Sequence, residues 1–254
     1  MTEIRGRFLW LENLTRDVPA AVGFYTAVIG WGTQRWDVEG QPYHMFFNGE
    51  MPLAGLHPMP EGAEHPPHWL AYIGTPDVGE TTALAERLGA KVWVRLMDIP
   101  SVGIMSVLQD PQGAMFAVYR PATLPPALPA EAKVSEFSWH ELATTDVDAA
   151  LAFYGQLFGW EKQAAHDMGH MGTYQEYGLP GLALGGCYTK PAAMPGPPSW
   201  LPYVRVADID ATLARATAGG AAVLLKPVIV AGGGRAAVFA DPQGAALGLF
   251  EQKA

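Results

Sequence analysis

The chain contains the same sequence module twice. Three pairs of segments match in the same order, at offsets of 129, 131 and 131 residues: FLWLENLTRDVPAAVGFYTAVIGW (Phe8–Trp31) with FSWHELATTDVDAALAFYGQLFGW (Phe137–Trp160), PPHWLAYIGTPDV (Pro66–Val78) with PPSWLPYVRVADI (Pro197–Ile209), and VLQDPQGAMFAVY (Val107–Tyr119) with VFADPQGAALGLF (Val238–Phe250). Ordered matches at one period indicate a tandem duplication. We therefore predict one module at residues 1–120 and a second at residues 135–254. The Pro- and Ala-rich stretch at residues 121–134 reads as an extended linker between them.

Each module divides again into two strand–helix–strands units. Aspartates that can cap a helix N-terminus follow strand-like segments at Asp17, Asp77, Asp146 and Asp208. In the second copy, Thr173–Tyr177 and Leu182–Tyr188 alternate like strands after the first helix. The fold class predicted is α+β, with four βαβββ units in the chain.

Composition narrows the classes of function. Hydrophobic residues make up 49% and charged residues 16% of the chain, which is typical of a globular protein. A net charge of -9 without a basic cluster argues against binding to nucleic acid or to an anionic membrane surface. The single cysteine, Cys187, excludes an intrachain disulfide and a Cys-rich zinc site. With no apolar run of signal-peptide or transmembrane length, we expect a cytoplasmic protein. The oligomeric state stays open between a monomer and a homodimer.

The ordered motifs resemble the vicinal oxygen chelate superfamily, which includes glyoxalase I, bleomycin-resistance proteins and extradiol dioxygenases. The likeness is carried by a strand followed by "D…A..FY...FGW", by "WL.Y(I/V)…D(V/I)" and by "DPQGA", each present in both copies. It implies mixed sheets curled into cups, with helices outside and a small-molecule site inside. Enzymes of this family hold a divalent metal in the cup with His, Glu or Gln side chains.

The positions that the resemblance assigns to metal ligands carry other residues here. Counting from the capping and turn aspartates places them at Trp10, Leu70 and Ala117 in the first copy and at Trp139, Leu201 and Gly248 in the second. None of these six side chains binds a metal well. We therefore predict no cofactor, and keep a divalent metal held by atypical ligands as the alternative.

Side-chain alternation separates the two candidate residues in FSWHEL. Neighbours on a strand point to opposite faces, so Glu141 shares the face of Trp139 and His140 does not. Leu11 stands where His140 stands in the other copy, and we expect His140 to be packed against the unit's own helix rather than to bind a ligand.

The residues predicted to face the cups are mostly aromatic. The ligand-binding set is Trp10, His68, Tyr72 and Tyr119 from the first copy and Trp139, Tyr203, Arg205 and Phe250 from the second. Aromatic walls with a few polar groups are typical of a small organic ligand site, and Arg205 could hold an anionic group. Glu12 and Glu141 occupy the same place in both copies and are the candidate catalytic residues. A half-buried carboxylate beside an indole suits general-base work, whereas the alternative is that each Glu orders a nearby loop.

The sequence thus favours a superfamily member that binds a small organic molecule in aromatic cups without the standard metal triad. The alternative is a metal-dependent enzyme, either a lyase of the lactoylglutathione-lyase type or a dioxygenase, that uses atypical ligands. Two questions stay open at this point: whether the protein is an enzyme, and whether one copy or both contain a functional ligand site.

Overall fold

The structure, a computed structural model, describes residues 3–38, 41–63, 65–125, 128–129 and 131–253. Residues 126, 127 and 130 of the predicted linker, and the chain ends at 1, 2 and 254, lie outside the described residues. Among the residues described, no helix has the length and apolar character needed to cross a membrane.

Four α-helices begin where the sequence predicts, each after a capping aspartate. They are α1 (Val18–Ile29), α2 (Val78–Arg87), α3 (Val147–Phe158) and α4 (Ile209–Ala218). The carboxylate of each cap accepts a hydrogen bond from the backbone N–H three residues on, as Asp146 does from Ala149 at 3.0 Å. Gly30 and Gly159 end α1 and α3 with φ of 85° and 74°, a left-handed conformation that glycine adopts without steric cost.

Sixteen strands form two mixed sheets of eight in the described part of the chain. The strands of the first copy are β1 (Phe8–Thr15), β2 (Gly32–Val38), β3 (Gln41–Asn48), β4 (Met51–Pro58), β5 (His68–Gly74), β6 (Lys91–Ile99), β7 (Gly103–Gln109) and β8 (Met115–Pro121), in the sheet order β2-β3-β4-β1-β5-β8-β7-β6. The strands of the second copy are β9 (Phe137–Thr144), β10 (Glu161–Asp167), β11 (Thr173–Leu179), β12 (Leu182–Thr189), β13 (Ser199–Arg205), β14 (Ala222–Ile229), β15 (Arg235–Ala240) and β16 (Ala246–Glu251), in the order β10-β11-β12-β9-β13-β16-β15-β14. The α+β class with four βαβββ units is confirmed.

One strand of the second copy was not visible in the sequence. Glu161–Asp167 forms β10, paired antiparallel with β11. The segment is mostly exposed and polar, with a register shift between Lys162 and Ala165, so it lacks a continuous alternation of apolar residues. Its pairing with β11 is what makes it a strand.

The chain divides into two compact units that do not coincide with the two copies. Unit 1 contains Met1–Leu9, Ala71–Ala130 and Trp139–Trp200, and unit 2 contains Trp10–Leu70, Glu131–Ser138 and Leu201–Ala254. Each unit therefore combines one βαβββ half of the first copy with one half of the second. The boundaries of the predicted modules stay a prediction.

Each unit has its own aromatic core. In unit 1, Tyr154 and Phe158 of α3 pack with Phe116 and Trp160 in one buried cluster. In unit 2, the rings of Tyr25, Trp31, Phe46 and Trp69 pack against one another with centroids 4.9–6.2 Å apart. The repeated FY pairs are interior residues because their helix face meets the sheet, and the tryptophan after each glycine stop is buried as well.

Candidate functional site

A row of aromatic and acidic side chains lies on one face of the β9–β12 half-sheet of unit 1. Strand register defines this face: Glu176 pairs with Gly186, Gly186 pairs with Glu141, and His166 pairs with Tyr174. Paired residues point to the same side, as do residues two apart along a strand. We call this surface the Glu141 face; its members are Trp139, Glu141, His166, Tyr174, Glu176 and Tyr188.

The centre of the Glu141 face is a hydrogen-bonded chain of three side chains. Trp139 Nε1 donates to the Tyr174 hydroxyl oxygen at 2.8 Å. Tyr174 in turn hydrogen-bonds the Glu141 carboxylate. Burial and the neighbouring Glu141 charge raise the pKa of Tyr174 above its ordinary value, so its phenol stays protonated and serves as a donor.

A glycine makes room for this chain. A Cβ at Gly186 would overlap the ring of Tyr174, which lies over the backbone of β12 at this point. Because Gly186 is in register with Glu141, the tyrosine ring can reach across β12 to the carboxylate on β9.

Unit 2 repeats the arrangement with residues of the first copy. Trp10 Nε1 donates to the Tyr43 hydroxyl at 3.2 Å, and that hydroxyl donates to Glu12 Oε1 at 3.0 Å. A Cβ at Gly55 would overlap Tyr43, and Gly55 is in register with Glu12. We call this surface the Glu12 face; its members are Trp10, Glu12, Trp36, Tyr43, Met45, Gly55 and His57.

Tyr43 and Tyr174 were missed in the sequence analysis. They lie at an offset of 131 residues, the same offset that relates Gly55 to Gly186. Each copy has a tyrosine followed twelve residues later by a glycine within a strand. A glycine inside a strand often marks a close approach to the backbone, so this repeated spacing could have indicated the contact.

The positions implied for a divalent metal do not fit one. Trp10 and Trp139 direct their indole N–H groups to tyrosines, and Leu70 and Ala117 are buried. The space where a Cβ would stand at Gly248 is filled by the ring of Tyr203. Among the described residues, no group of three or more His, Cys, Asp or Glu side chains is placed to bind a metal ion.

Tyr72 and Tyr119 are brought together in unit 1. Tyr72 is in register with Ala117, and its ring meets that of Tyr119 edge to face at 6.0 Å. The Tyr119 hydroxyl donates to the Val102 carbonyl at 2.9 Å, and burial raises the pKa of this phenol. These two residues form an aromatic surface at β5 and β8.

The remaining predicted ligand-binding residues lie in unit 2. Tyr203 is buried over Gly248, and Arg205 is in register with Phe250. The Arg205 guanidinium donates to the Ala132 carbonyl at 2.8 Å, so in this structure it secures the segment before β9. His68 has its Nδ1 3.0 Å from the Pro66 carbonyl oxygen, and desolvation lowers the pKa of its imidazole.

His140 is buried on the opposite face of β9, as its alternation predicts. Its ring stacks on Phe8 with centroids 3.6 Å apart and planes 2° apart. Leu142, which shares its face, belongs to the core cluster that contains Tyr154 and Leu157 of α3. Desolvation lowers the pKa of His140 to about 3, so the ring is neutral at physiological pH.

Comparison with known proteins agrees with the repeat and the fold. The model of the Glyoxalase/Bleomycin resistance protein/Dioxygenase superfamily matches the chain twice, over residues 7–118 and 136–249. The chain belongs to this superfamily. Two relatives match nearly the whole chain. The first, "Putative glyoxylase CFP32" of Mycobacterium tuberculosis, is 35% identical over 95% of this chain and 93% of its own length. "Anthracycline biosynthesis protein DnrV" of Streptomyces peucetius is 28% identical over 95% and 92%.

Solved structures of other superfamily members share the fold. The Mn(II)-bound glyoxalase from Novosphingobium aromaticivorans is similar with a TM-score of 0.62 at 16% identity, covering 98% of this chain and 82% of that one. The 2,3-dioxygenase LapB from a Pseudomonas species gives a TM-score of 0.64 at 12% identity, covering 100% and 94%. At these identities the likeness concerns the fold alone.

Proposed function

We propose that this protein binds a small, planar, hydroxylated aromatic molecule on its Glu12 and Glu141 faces, without the metal triad of its superfamily. The observation that carries the proposal is the Trp–Tyr–Glu hydrogen-bonded chain, which occurs once in each unit and uses the tryptophan at the implied metal position.

The chemistry of the two faces supports this class of ligand. Indole and phenol rings offer flat apolar surface for stacking. The carboxylate beside them accepts a hydrogen bond, which suits a phenolic hydroxyl at the edge of a ligand. The tyrosine between them holds the carboxylate in place, so less ordering is needed when a ligand arrives.

The names of two relatives point to the same chemistry. Two Streptomyces relatives are named for anthracycline biosynthesis, and anthracyclines are planar, polycyclic and phenolic. The name of the mycobacterial relative points instead to a glyoxalase-type reaction, which would need metal ligands that the implied positions lack.

The test combines metal analysis with ligand titration. Protein expressed with added Zn, Ni, Fe and Mn is assayed for bound metal, and tryptophan fluorescence is followed while an anthracycline is added. We expect no stoichiometric metal and a saturable quench. Glu12→Gln and Glu141→Gln should each weaken binding at one face by roughly tenfold or more, since each removes a charged acceptor.

A matched control is Glu61→Gln, which alters an exposed glutamate away from both faces and should leave the affinity unchanged. The proposal is wrong if the double variant at Glu12 and Glu141 binds as tightly as the wild type. It is also wrong if EDTA removes a stoichiometric divalent metal together with a lactoylglutathione-lyase or dioxygenase activity.

A further inference from the structure

The two faces differ at two places. Where the Glu141 face has Tyr188, the Glu12 face has His57, whose Nδ1 lies 2.8 Å from the carbonyl oxygen of Pro58. The second difference lies at the far corner, on the two outer strands. On the Glu12 face, Trp36 pairs with Tyr43 and Met45 pairs with Gly55. On the Glu141 face, the matching register positions carry His166, paired with Tyr174, and Glu176, paired with Gly186. These two equivalent positions therefore carry apolar side chains in unit 2 and ionisable side chains in unit 1.

His166 and Glu176 contact each other directly. His166 Nε2 lies 2.8 Å from Glu176 Oε1, and the two side chains are 34% and 24% exposed. They are thus half-buried but open to a molecule arriving from solvent. The pair is not evident in the sequence because β10, which carries His166, is mostly exposed and lacks the apolar alternation typical of a strand.

The pair has the chemistry of a general base with its orienting group. When Nε2–H of a neutral imidazole donates to a carboxylate, the lone pair is on Nδ1, which can then accept a proton. The carboxylate stabilises the imidazolium that forms. Histidine is the side chain whose unperturbed protonation changes most readily near neutral pH.

The distance between the pair and Glu141 suits a fused-ring ligand. Glu176 on β11 and Glu141 on β9 are in register through Gly186, so their backbones are two strand spacings apart, about 10 Å. Tyr174 fills the space over Gly186 between them, and its ring stacks on Tyr188 with centroids 6.4 Å apart. An aromatic platform thus lies between a hydrogen-bond acceptor at one end and a base at the other.

We propose that the Glu141 face is a proton-transfer site for hydroxylated aromatic ketones, whereas the Glu12 face only binds. This rests on the proposed function, because the ligand must first bind with its hydroxyl at Glu141. His166 Nδ1 then takes a proton from the carbon next to the ketone carbonyl: the C–H bond breaks, an N–H bond forms, and the electron pair moves into the enolate oxygen. Return of a proton from the imidazolium to the carbon regenerates the ketone, so no other reactant is needed.

The roles of the residues are distinct. His166 touches the reacting atom and is the catalytic residue. Glu176 acts through His166 and is a positioning residue. The competing interpretation is an ion pair that only ties β10 to β11, and it predicts an effect on stability without any effect on exchange.

The experiment uses a naphthol that carries an acetyl group at the opposite end of its ring system. The whole protein is incubated with this probe in deuterated buffer, and loss of the acetyl methyl signal is followed by proton NMR. Binding of the same probe is measured by tryptophan fluorescence. We expect the wild type to accelerate exchange above buffer and His166→Gln to slow it by roughly a hundredfold or more, with affinity within about twofold.

Further variants separate positioning from packing. Glu176→Gln should lower the exchange rate with affinity unchanged, and Glu176→Asp should restore part of it. His65→Gln, at an exposed histidine between β4 and β5 that belongs to neither face, should exchange like the wild type. Unchanged melting temperatures show that the variants remain folded.

Each remaining outcome decides one of the two proposals. If the probe binds and the wild type does not accelerate exchange, the inference is overturned and the proposed function stands. The same holds if His166→Gln exchanges as fast as the wild type. If the probe does not bind, the proposed function fails for this ligand class and the inference fails with it.

Discussion

Tyr154 donates its hydroxyl hydrogen to Oδ2 of Asp110 at 2.9 Å, and the two residues come from different copies of the repeat. Trp200 Nε1 donates to the same hydroxyl at 3.2 Å. The other oxygen of Asp110 accepts from the backbone N–H of Gln112, Gly113 and Ala114. The DPQG turn of one copy is therefore secured to the FY helix of the other inside unit 1.

Unit 2 contains the same contact with the copies exchanged. Tyr25 donates to Asp241 Oδ2 at 2.9 Å, and Trp69 donates to Tyr25 at 3.2 Å. Burial, followed by the Asp241 charge, raises the pKa of the Tyr25 phenol, which therefore remains a donor. The repeated motifs that identify the superfamily also join the copies in each unit.

Removing this hydroxyl should destabilise the fold. Tyr154→Phe leaves Asp110 Oδ2 and the Trp200 N–H without their buried partner, and we expect a loss of about 1–3 kcal/mol in the free energy of unfolding. Urea denaturation measures it. Tyr188→Phe removes a hydroxyl that contacts only Met194 Sδ at 3.7 Å in the described structure, and should stay within about 0.5 kcal/mol of the wild type. Equal losses in both variants would contradict the assigned role of the Tyr154 hydrogen bond.

Acid should destabilise the protein through His140. Its folded pKa is lowered to about 3 by desolvation, against an ordinary value of 6.5, so between these pH values the unfolded state binds the extra proton. Stability therefore falls as the pH drops through this window, by about 1.4 kcal/mol per pH unit at most. His140→Leu, which places the residue of the first copy at this position, should reduce the slope of stability against pH. Urea unfolding at pH 5 and pH 7 in both proteins tests this, and parallel slopes would refute it.

Adding a methyl group at Gly186 should disrupt the Glu141 face. In Gly186→Ala the new Cβ meets the ring of Tyr174, which must shift and lose its place between Trp139 and Glu141. We expect a cost of about 1–3 kcal/mol in stability and weaker ligand binding. Gly32→Ala is the control, because a Cβ there makes only ordinary contacts with Phe47, the nearest at 3.8 Å. Full affinity in Gly186→Ala would show that the position of Tyr174 is unimportant.

The thiol of Cys187 should be inert in the folded protein. Burial raises its pKa to about 12, so the reactive thiolate is scarce at neutral pH, and the side chain is fully buried. A colorimetric disulfide reagent should label it slowly in buffer and rapidly in denaturant. Rapid labelling of the native protein would mean that β12 opens readily.

Local rules account for what was predicted correctly. Each helix start follows from a capping aspartate and each αL stop in α1 and α3 from a glycine, which are interactions within one turn. The burial of His140 follows from the alternation of side chains along β9 and from Leu11 at the matching place. The identities of the six residues at the implied metal positions follow from counting residues between motifs, and the expectation that no metal binds there stays a prediction.

Long-range pairing accounts for what was missed. Tyr43 reaches Glu12 only because β3, β4 and β1 are neighbours in the sheet and Gly55, on the strand between them, has no side chain to block the tyrosine ring. His166 meets Glu176 only because β10 pairs with β11. Neither contact joins residues of one segment, so periodicity within a segment did not reveal them.

The sequence by itself determined the duplication, the four βαβββ units, the superfamily and the residues at the implied metal positions, because each depends on local patterns or on comparison of one copy with the other. Only the tertiary structure decided that each compact unit combines half of one copy with half of the other, and that the carboxylates belong to Trp–Tyr–Glu chains. The physical reason is that hydrogen bonds and packing between strands are set by register and sheet order, which join residues far apart in the chain. Strand register also shows how the Glu12 and Glu141 faces differ. Trp36 and Met45 of the Glu12 face occupy the positions that His166 and Glu176 occupy in the Glu141 face.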